Sequence, residues 1–224
     1  GFDTQGDSFD FEEKWREQII GLIENVANKL SAIPSLPPHQ AKVNATVEAL
    51  EALNECVVRL PKLDKLPGFS AKVKIQTPIA KGTSKVLLKT CRVKQKKLQK
   101  EQTVWKWRVE FESLAQSVSS DFDRFSELKR DNDPQDKLEQ LDVVLKGLGL
   151  CTKRIPSLMR DKNVDKKYRY ETSMGKVNLK TFAKGCANTH KLVEIFQRRV
   201  KALNTFIESC TGDEIERAKE AGLP

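Results

Sequence analysis

A long stretch without proline, from Thr83 to Arg130, limits the fold of this chain more than any other feature. Because each helical residue advances by about 1.5 Å, a single helix of roughly 70 Å could form there. A helix of that length exceeds what a globular core usually contains. The stretch therefore predicts one long central helix, with shorter helices on either side of it in the sequence.

Apolar residues recur at intervals of three and four before and after this stretch. One series runs from Trp15 to Ile33, and a second runs from Val43 to Leu60 and ends at a proline. This spacing places side chains along one side of a helix. Further series follow Pro134 and occupy residues 179–207. The pattern predicts an all-α fold, an elongated helical bundle of five or six helices with one long central helix.

The organisation predicted along the chain is a single domain with a short leader. Residues 1–10 are expected to form a flexible acidic lead-in, and residues 11–224 a single helical-bundle domain. Within that domain, residues 61–82 are expected to form an extended connector, because apolar and polar side chains alternate from Phe69 to Ile75 but no second strand is offered as a partner. Residues 160–176 are polar and are interpreted as a loop. No internal repeat is evident.

The number and spacing of the cysteines, together with the hydropathy of the chain, indicate its cellular compartment. The chain has five cysteines, an odd number, without the close pairs of a zinc ribbon or the pattern of a disulfide framework. Reduced thiols in the cytoplasm, or alternatively the nucleus, are the simplest interpretation. No apolar run reaches the roughly 18 residues of a membrane span. Since the chain begins with glycine, we expect a module of a larger protein.

Positive charge is concentrated in one segment. The segment from Lys65 to Lys100 contains eleven cations and no Asp or Glu, whereas the net charge of the whole chain is +9. The remaining residues therefore sum to a slightly negative charge. The basic character of the chain is local, and it lies in the connector and the first part of the long helix.

Five of these cations fall on one side of the predicted long helix. At 100° per residue they occupy an arc of about 80°, opposite Leu87 and Leu98. The five are Lys85, Lys89, Arg92, Lys96 and Lys100. Like charges four residues apart repel one another, and no Glu alternates with them. We expect an external anionic partner for this face; a solvated face, or one neutralised by the acidic lead-in, is the alternative.

Two classes of anionic partner fit such a face best. An anionic membrane attracts a polybasic segment by roughly 1 kcal/mol per cation, and an acidic protein surface would offer similar charge. The phosphate backbone of a nucleic acid is the alternative, but ten lysines to one arginine favour diffuse contact over the reading of bases. A second candidate for anion contact is Lys166, Lys167 and Arg169, which alternate with Tyr168 and Tyr170.

Two tryptophans in the long helix predict a change in its buried side. Trp105 continues the apolar side of Leu87, whereas Trp107 starts a new series with Phe111 and Leu114. Either the helix breaks near residues 101–104, or one helix buries opposite sides at its two ends. Core packing is the expected role of both rings.

No pattern in the sequence predicts catalysis, a metal or a cofactor. Cys186 and His190 are four residues apart and could face each other, but no third group stands at a recognisable spacing. The nucleotide-binding glycine patterns and the calcium loop are also missing. The sequence thus predicts a non-catalytic interaction or scaffold module, with a partner and an oligomeric state that its residues do not specify.

Overall fold

A computed structural model of the chain describes residues 4–66, 68–128, 133–210 and 212–222. In chain order its elements are α1 (Thr4–Ala32), a short 3-10 helix (Ile33–Ser35), α2 (Gln40–Leu63), β1 (Ile75–Gln76), β2 (Lys81–Gly82), α3 (Ser84–Glu127), α4 (Pro134–Arg160), β3 (Arg169–Thr172), β4 (Gly175–Asn178), α5 (Leu179–Ser209) and α6 (Gly212–Glu220). The fold is 77% helical, with six α-helices and two small strand pairs among the described residues. The predicted all-α bundle with a long central helix is confirmed.

The chain divides into two compact units, which we call unit 1 (Gly1–Val109) and unit 2 (Glu110–Pro224). Both lie within the region that the sequence predicts as a single domain, apart from the first residues of unit 1. Within the lead-in predicted for residues 1–10, α1 begins at Thr4, and residues 1–3 lie outside the described part of the chain. Carboxylates near a helix N-terminus favour the helix through its dipole, so acidity there does not prevent helix formation.

α3 belongs to both units and is unbroken from Ser84 to Glu127. The alternative with a break near residues 101–104 is therefore wrong. Trp105 is half-buried and packs against the core of unit 1, where the Lys42 ammonium lies 5.8 Å from its ring centroid. Trp107 is only 4% exposed. Core packing, as predicted, accounts for both rings.

The core of unit 1 lies between α1, α2 and the first part of α3. The Trp15 ring of α1 meets the Phe69 ring at a centroid distance of 4.9 Å. Burial of each large apolar side chain contributes about 1.5–3 kcal/mol. The side chains that are almost completely buried include Trp15, Ile19, Ile23, Leu53, Leu60 and Leu87.

Unit 2 has its own core, formed by the last part of α3, by α4 and by α5. Phe111 of α3 meets Phe182 of α5 edge to face, with ring centroids 5.9 Å apart. Leu148 and Ile155 of α4 are buried in this unit, as is Leu179 at the start of α5. The side chain of Asp133 caps α4 by accepting a hydrogen bond from the Gln135 backbone N–H at 2.8 Å.

The connector predicted for residues 61–82 forms a small hairpin. α2 continues to Leu63 with Pro61 in its last turn, and β1 then pairs antiparallel with β2, Ile75 opposite Gly82. The Thr77 hydroxyl closes the turn by donating to the Ala80 carbonyl at 2.5 Å. The sequence did not predict these strands because the alternation from Phe69 to Ile75 ends where β1 begins, and no second alternating run indicates β2.

The polar loop predicted for residues 160–176 contains most of a second hairpin. β3 pairs antiparallel with β4, and Arg169 lies opposite Asn178. Here too a threonine closes the turn, since the Thr172 hydroxyl donates to the Gly175 carbonyl at 3.1 Å. Gly175 has φ +105°, a conformation that glycine adopts without steric cost.

The two units repeat one order of elements, which corrects the expectation of no internal repeat. Each has a helix, a second helix with a proline in its last two turns, a hairpin and a third helix. Cys56 and Cys151 occupy matching places in the second helix, 95 positions apart, and Cys91 and Cys186 are 95 positions apart in the third. α3 supplies the third helix of unit 1 and the first helix of unit 2.

Short matching motifs accompany this order. The second helices share Cys-x-x-Arg-[Leu or Ile]-Pro-x-Leu, at residues 56–63 and 151–158. The first helices share Lys-Trp-Arg, at residues 14–16 and 106–108, and in each an arginine guanidinium lies over the adjacent indole ring. Both tryptophans are buried. The repeat is therefore carried by core and turn positions.

Candidate anion-binding face

The five cations predicted to share a face of the long helix do share one. We call Lys85, Lys89, Arg92, Lys96 and Lys100 the α3 basic face, and all five are exposed. On the opposite side of the helix, Leu87 and Cys91 are fully buried and Leu98 is 4% exposed, all in the core of unit 1. Burial of that apolar side sets the rotation of α3 and turns the cations to solvent.

The start of the α3 basic face is fixed by contacts between α2 and α3. The Ser84 hydroxyl donates to the Asp64 carboxylate at 2.6 Å, and Asp64 caps the end of α2. The Leu87 backbone N–H donates to the Thr83 carbonyl at 3.0 Å, which begins the helix. A charge-assisted hydrogen bond such as that of Ser84 is short and directional. These contacts fix the position of the first turn of α3, which carries Lys85.

Carboxylates do not neutralise the α3 basic face among the side chains that the structure describes. None of the five cations takes part in an ion pair there; the neighbouring Lys97 does, at 3.9 Å from Glu101, with the lysine 79% exposed. Such exposed pairs contribute little. Of the acidic residues 3–13 that could act as internal counter-charge, Glu13 is exposed, and the others lie outside the described side chains. The local field of this face is thus strongly positive.

Two exposed valines border the α3 basic face, and the sequence patterns did not single them out. Val86 is 46% exposed and Val93 is 60% exposed. They are seven residues apart and lie on one edge of the cation arc at 100° per residue. A search of the polar side of the helix for apolar residues at this spacing could have found them. The face therefore combines positive charge with accessible apolar surface.

The second predicted group of cations lies on the hairpin of unit 2 and in the turn before it. Lys166, Lys167 and Arg169 are exposed as expected. The tyrosines between them are engaged, because the Tyr168 hydroxyl donates to the Glu112 carboxylate and the Tyr170 hydroxyl to Gln116 at 3.4 Å. Stacking of a nucleobase on Tyr168 would also compete with its edge contact to Phe111, at 6.4 Å. This segment retains its charge, and both tyrosine hydroxyls are held by side chains of α3.

The cysteines form two buried pairs, and neither pair includes His190. The Cys56 thiol donates to Cys91, and this contact together with burial raises the pKa of Cys56 and lowers the pKa of Cys91. In unit 2 the Cys151 thiol donates to Cys186, which raises the pKa of Cys151 and lowers the pKa of Cys186 in the same way. All four thiols are buried, so a reagent in solvent has little access to them. Cys186 therefore faces Cys151. The four-residue spacing had suggested that it could face His190, which is half-buried.

Unit 2 also contains an apolar cavity of about 470 Å³ between α3, α4, α5 and the second hairpin. Val118, Phe182 and Met174 are among its lining residues, and Lys176 is the one charged group in the described lining. Lys176 lies 3.6 Å from Glu171 in an exposed ion pair. This lining offers no pair of groups for acid–base catalysis. Within the described part of the chain, no three His, Cys, Asp or Glu side chains are grouped to hold a metal ion.

Comparison with protein-family models, with curated proteins and with solved structures found no match to this chain. A membrane span was also sought, and none of the described helices combines the required length with the required apolar character.

Proposed function

We propose that this chain is a non-catalytic interaction module that docks onto an anionic membrane surface through the α3 basic face. The observation that carries the proposal is five exposed cations in a row, without a described carboxylate partner and with Val86 and Val93 exposed along their edge. The cytoplasmic leaflet is the anionic one in cells, so the module would act in the cytoplasm.

The row of charge is sufficient for measurable attraction. Each cation near an anionic bilayer contributes about 1 kcal/mol, so five contribute about 5 kcal/mol, equivalent to a dissociation constant of a few tenths of a millimolar. The repulsion among the cations, a few tenths of a kcal/mol for each pair four apart, is relieved when lipid phosphates approach. Contact through this face alone is therefore weak and sensitive to salt.

The valines favour a bilayer over the other anionic partners. A bilayer offers apolar surface just below its phosphates, and amphipathic helices with exposed apolar residues beside lysines lie at that boundary. A nucleic-acid backbone offers charge without such a layer. Reading of bases would also require arginine or amide side chains, and four of the five cations are lysines. The experiment described next distinguishes a bilayer from an acidic protein surface.

Vesicle sedimentation with a charge-reversed variant tests the proposal. The variant replaces four members of the face with Glu: Lys85, Lys89, Arg92 and Lys96. The control makes the same change of charge at four exposed lysines away from the face: Lys62, Lys146, Lys153 and Lys162. The vesicles are phosphatidylcholine with phosphatidylserine as the minor, anionic component, as in a cytoplasmic leaflet.

We expect the variant to stay in the supernatant at low ionic strength, while the control retains most of its binding. Equal loss in both variants would show that net charge alone matters, and unchanged binding of the variant would overturn the role of the face. Binding to an acidic polypeptide or to duplex DNA, without binding to any anionic vesicle, would assign the face to that other partner.

A further inference from the structure

The repeat identifies α5 as the counterpart of the first part of α3. The two helices begin 95 positions apart, at Ser84 and Leu179, and each follows directly on its hairpin. Each also buries a cysteine two turns from its start, Cys91 at 0% exposure and Cys186 at 3%. Because the buried cysteines are in register, the two helices turn equivalent positions to solvent.

Three members of the α3 basic face are lysines again in α5. Lys180, Lys184 and Lys191 lie 95 positions after Lys85, Lys89 and Lys96. We call them the α5 lysine row, and all three are exposed. At 100° per residue they fall within an arc of about 40°, opposite the buried Leu179 and Cys186.

The α5 lysine row is also without carboxylate partners among the described residues. Glu194, the acidic side chain nearest to the row in the sequence, pairs with Arg198 of the same helix at 2.8 Å. α5 contains one other acidic residue, Glu208, against six Lys and Arg. The row therefore keeps its positive field, and the helix as a whole is basic.

Large apolar side chains stand beside this row, as the valines do on α3. Leu192 is 66% exposed, Ile195 is 48% exposed and Phe206 is 65% exposed. At 100° per residue they lie on the same angular side of their cations as Val86 and Val93 do on α3. Exposed large apolar residues grouped in this way mark an interaction site.

We propose that α5 is a second membrane-binding face, equivalent to the α3 basic face and more strongly apolar. The α5 lysine row contacts lipid phosphates, and Leu192, Ile195 and Phe206 enter the boundary between headgroups and acyl chains. The occupant is an anionic bilayer because the face combines lysines with large aliphatic and aromatic side chains. This inference rests on the proposed function, since it extends the same partner to a second surface of the same chain.

Charge reversal of the α5 lysine row in the full-length chain tests this inference. The variant carries K180E, K184E and K191E, and its control carries K146E, K153E and K162E, which change the charge of unit 2 by the same amount outside the row. All substituted lysines are exposed, and circular dichroism checks that the helices persist. Partitioning is measured with the same vesicles of phosphatidylcholine and a minor fraction of phosphatidylserine.

The expected loss is roughly 100-fold in the partition coefficient, at about fivefold for each lysine, and the control should lose much less. Loss of binding on reversal of the α3 basic face, with none on reversal of the α5 row, would overturn this inference and leave the proposed function intact. If neither reversal changes binding, or the chain ignores anionic vesicles altogether, the proposed function fails as well.

Removal of apolar surface gives an independent readout that does not alter charge. In the variant with L192S and F206S, the lysines remain and the exposed residues do not support the core. Because salt screens charges but not apolar burial, residual binding of the parent chain at high ionic strength should fall at least tenfold in this variant. Equal partitioning of the parent and the variant at that ionic strength would exclude insertion by α5.

Discussion

Alternating the charge along the α3 basic face should stabilise unit 1 while it weakens docking through that face. The double substitution K89E and K96E places a carboxylate three or four residues from Lys85, Arg92 and Lys100. Four repulsive pairs then become attractive, and each changes from a few tenths of a kcal/mol unfavourable to a few tenths favourable. Since the side chains are exposed, we take the lower end of that range and expect a gain of about 2 kcal/mol. Glu and Lys have similar helix propensities, so the backbone contributes little to the difference.

Urea unfolding followed by circular dichroism measures this gain, and a shift of about 4–8 °C in the thermal midpoint should accompany it. The control substitutes Lys72 and Lys74 with Glu, which changes the net charge equally outside any helix. Equal stabilisation in the control would mean that net charge and not helical spacing is responsible. A variant less stable than the parent would refute the claim that repulsion among these cations lowers the free energy of unfolding.

Further predictions concern the buried thiols and the cap of α4. The pKa of Cys56 and of Cys151 is raised above the ordinary 9.0, so these thiols stay protonated in the folded chain where the unfolded chain ionises. Their contribution to stability is complete below about pH 9 and is lost as the pH rises further, whereas the lowered pKa of their partners Cys91 and Cys186 contributes stability that grows with pH and offsets part of this loss. Guanidinium unfolding on either side of that pH checks this, and a parent whose pH dependence equals that of the C56A, C151A variant would contradict it. Ellman's reagent in mildly alkaline buffer should modify Cys210 first, because the other four cysteines are buried; rapid reaction of all five would contradict their burial. Replacing Asp133 with Ala should cost about 1 kcal/mol through the lost cap, whereas Asn should retain most of the stability, and urea unfolding of the two variants compares them.

The helices were predictable because their apolar residues are regularly spaced and prolines lie near the helix ends. Trp15, Ile19 and Leu53 occupy the core positions that the three-and-four spacing assigns to them. Both hairpins were missed for a physical reason. Two to four residues per strand are too few for an alternating pattern, and a turn closed by the Thr77 or Thr172 hydroxyl stabilises them locally. Their register depends on neighbours that the sequence does not show.

The repeat was not predicted because the two units share little beyond their cores and turns. A cysteine and a proline at fixed spacing recur in α2 and α4, but these matches are short and far apart in the sequence. Packing constrains buried volume far more tightly than it constrains exposed residues. The order of helices and hairpins aligns the short matches and makes the correspondence clear.

The α3 basic face was predictable because its segment has no acidic residue before Glu101. The α5 lysine row was not, since its segment carries only four lysines in the 22 residues before Glu194. The pairing of Glu194 with Arg198 is a three-dimensional fact that leaves the lysines uncompensated. The hydrophobic neighbours of both faces, such as Val93 and Leu192, look in sequence like core residues until their exposure is known.

The most direct test of the central claim is the partitioning of the unaltered chain between buffer and vesicles as the anionic lipid content rises. We predict weak binding to pure phosphatidylcholine, binding at low ionic strength that increases steeply with the fraction of phosphatidylserine, and substantial release when salt is added. Absence of the chain from the vesicle pellet at every lipid composition, or equal binding to neutral and anionic vesicles, would contradict the claim.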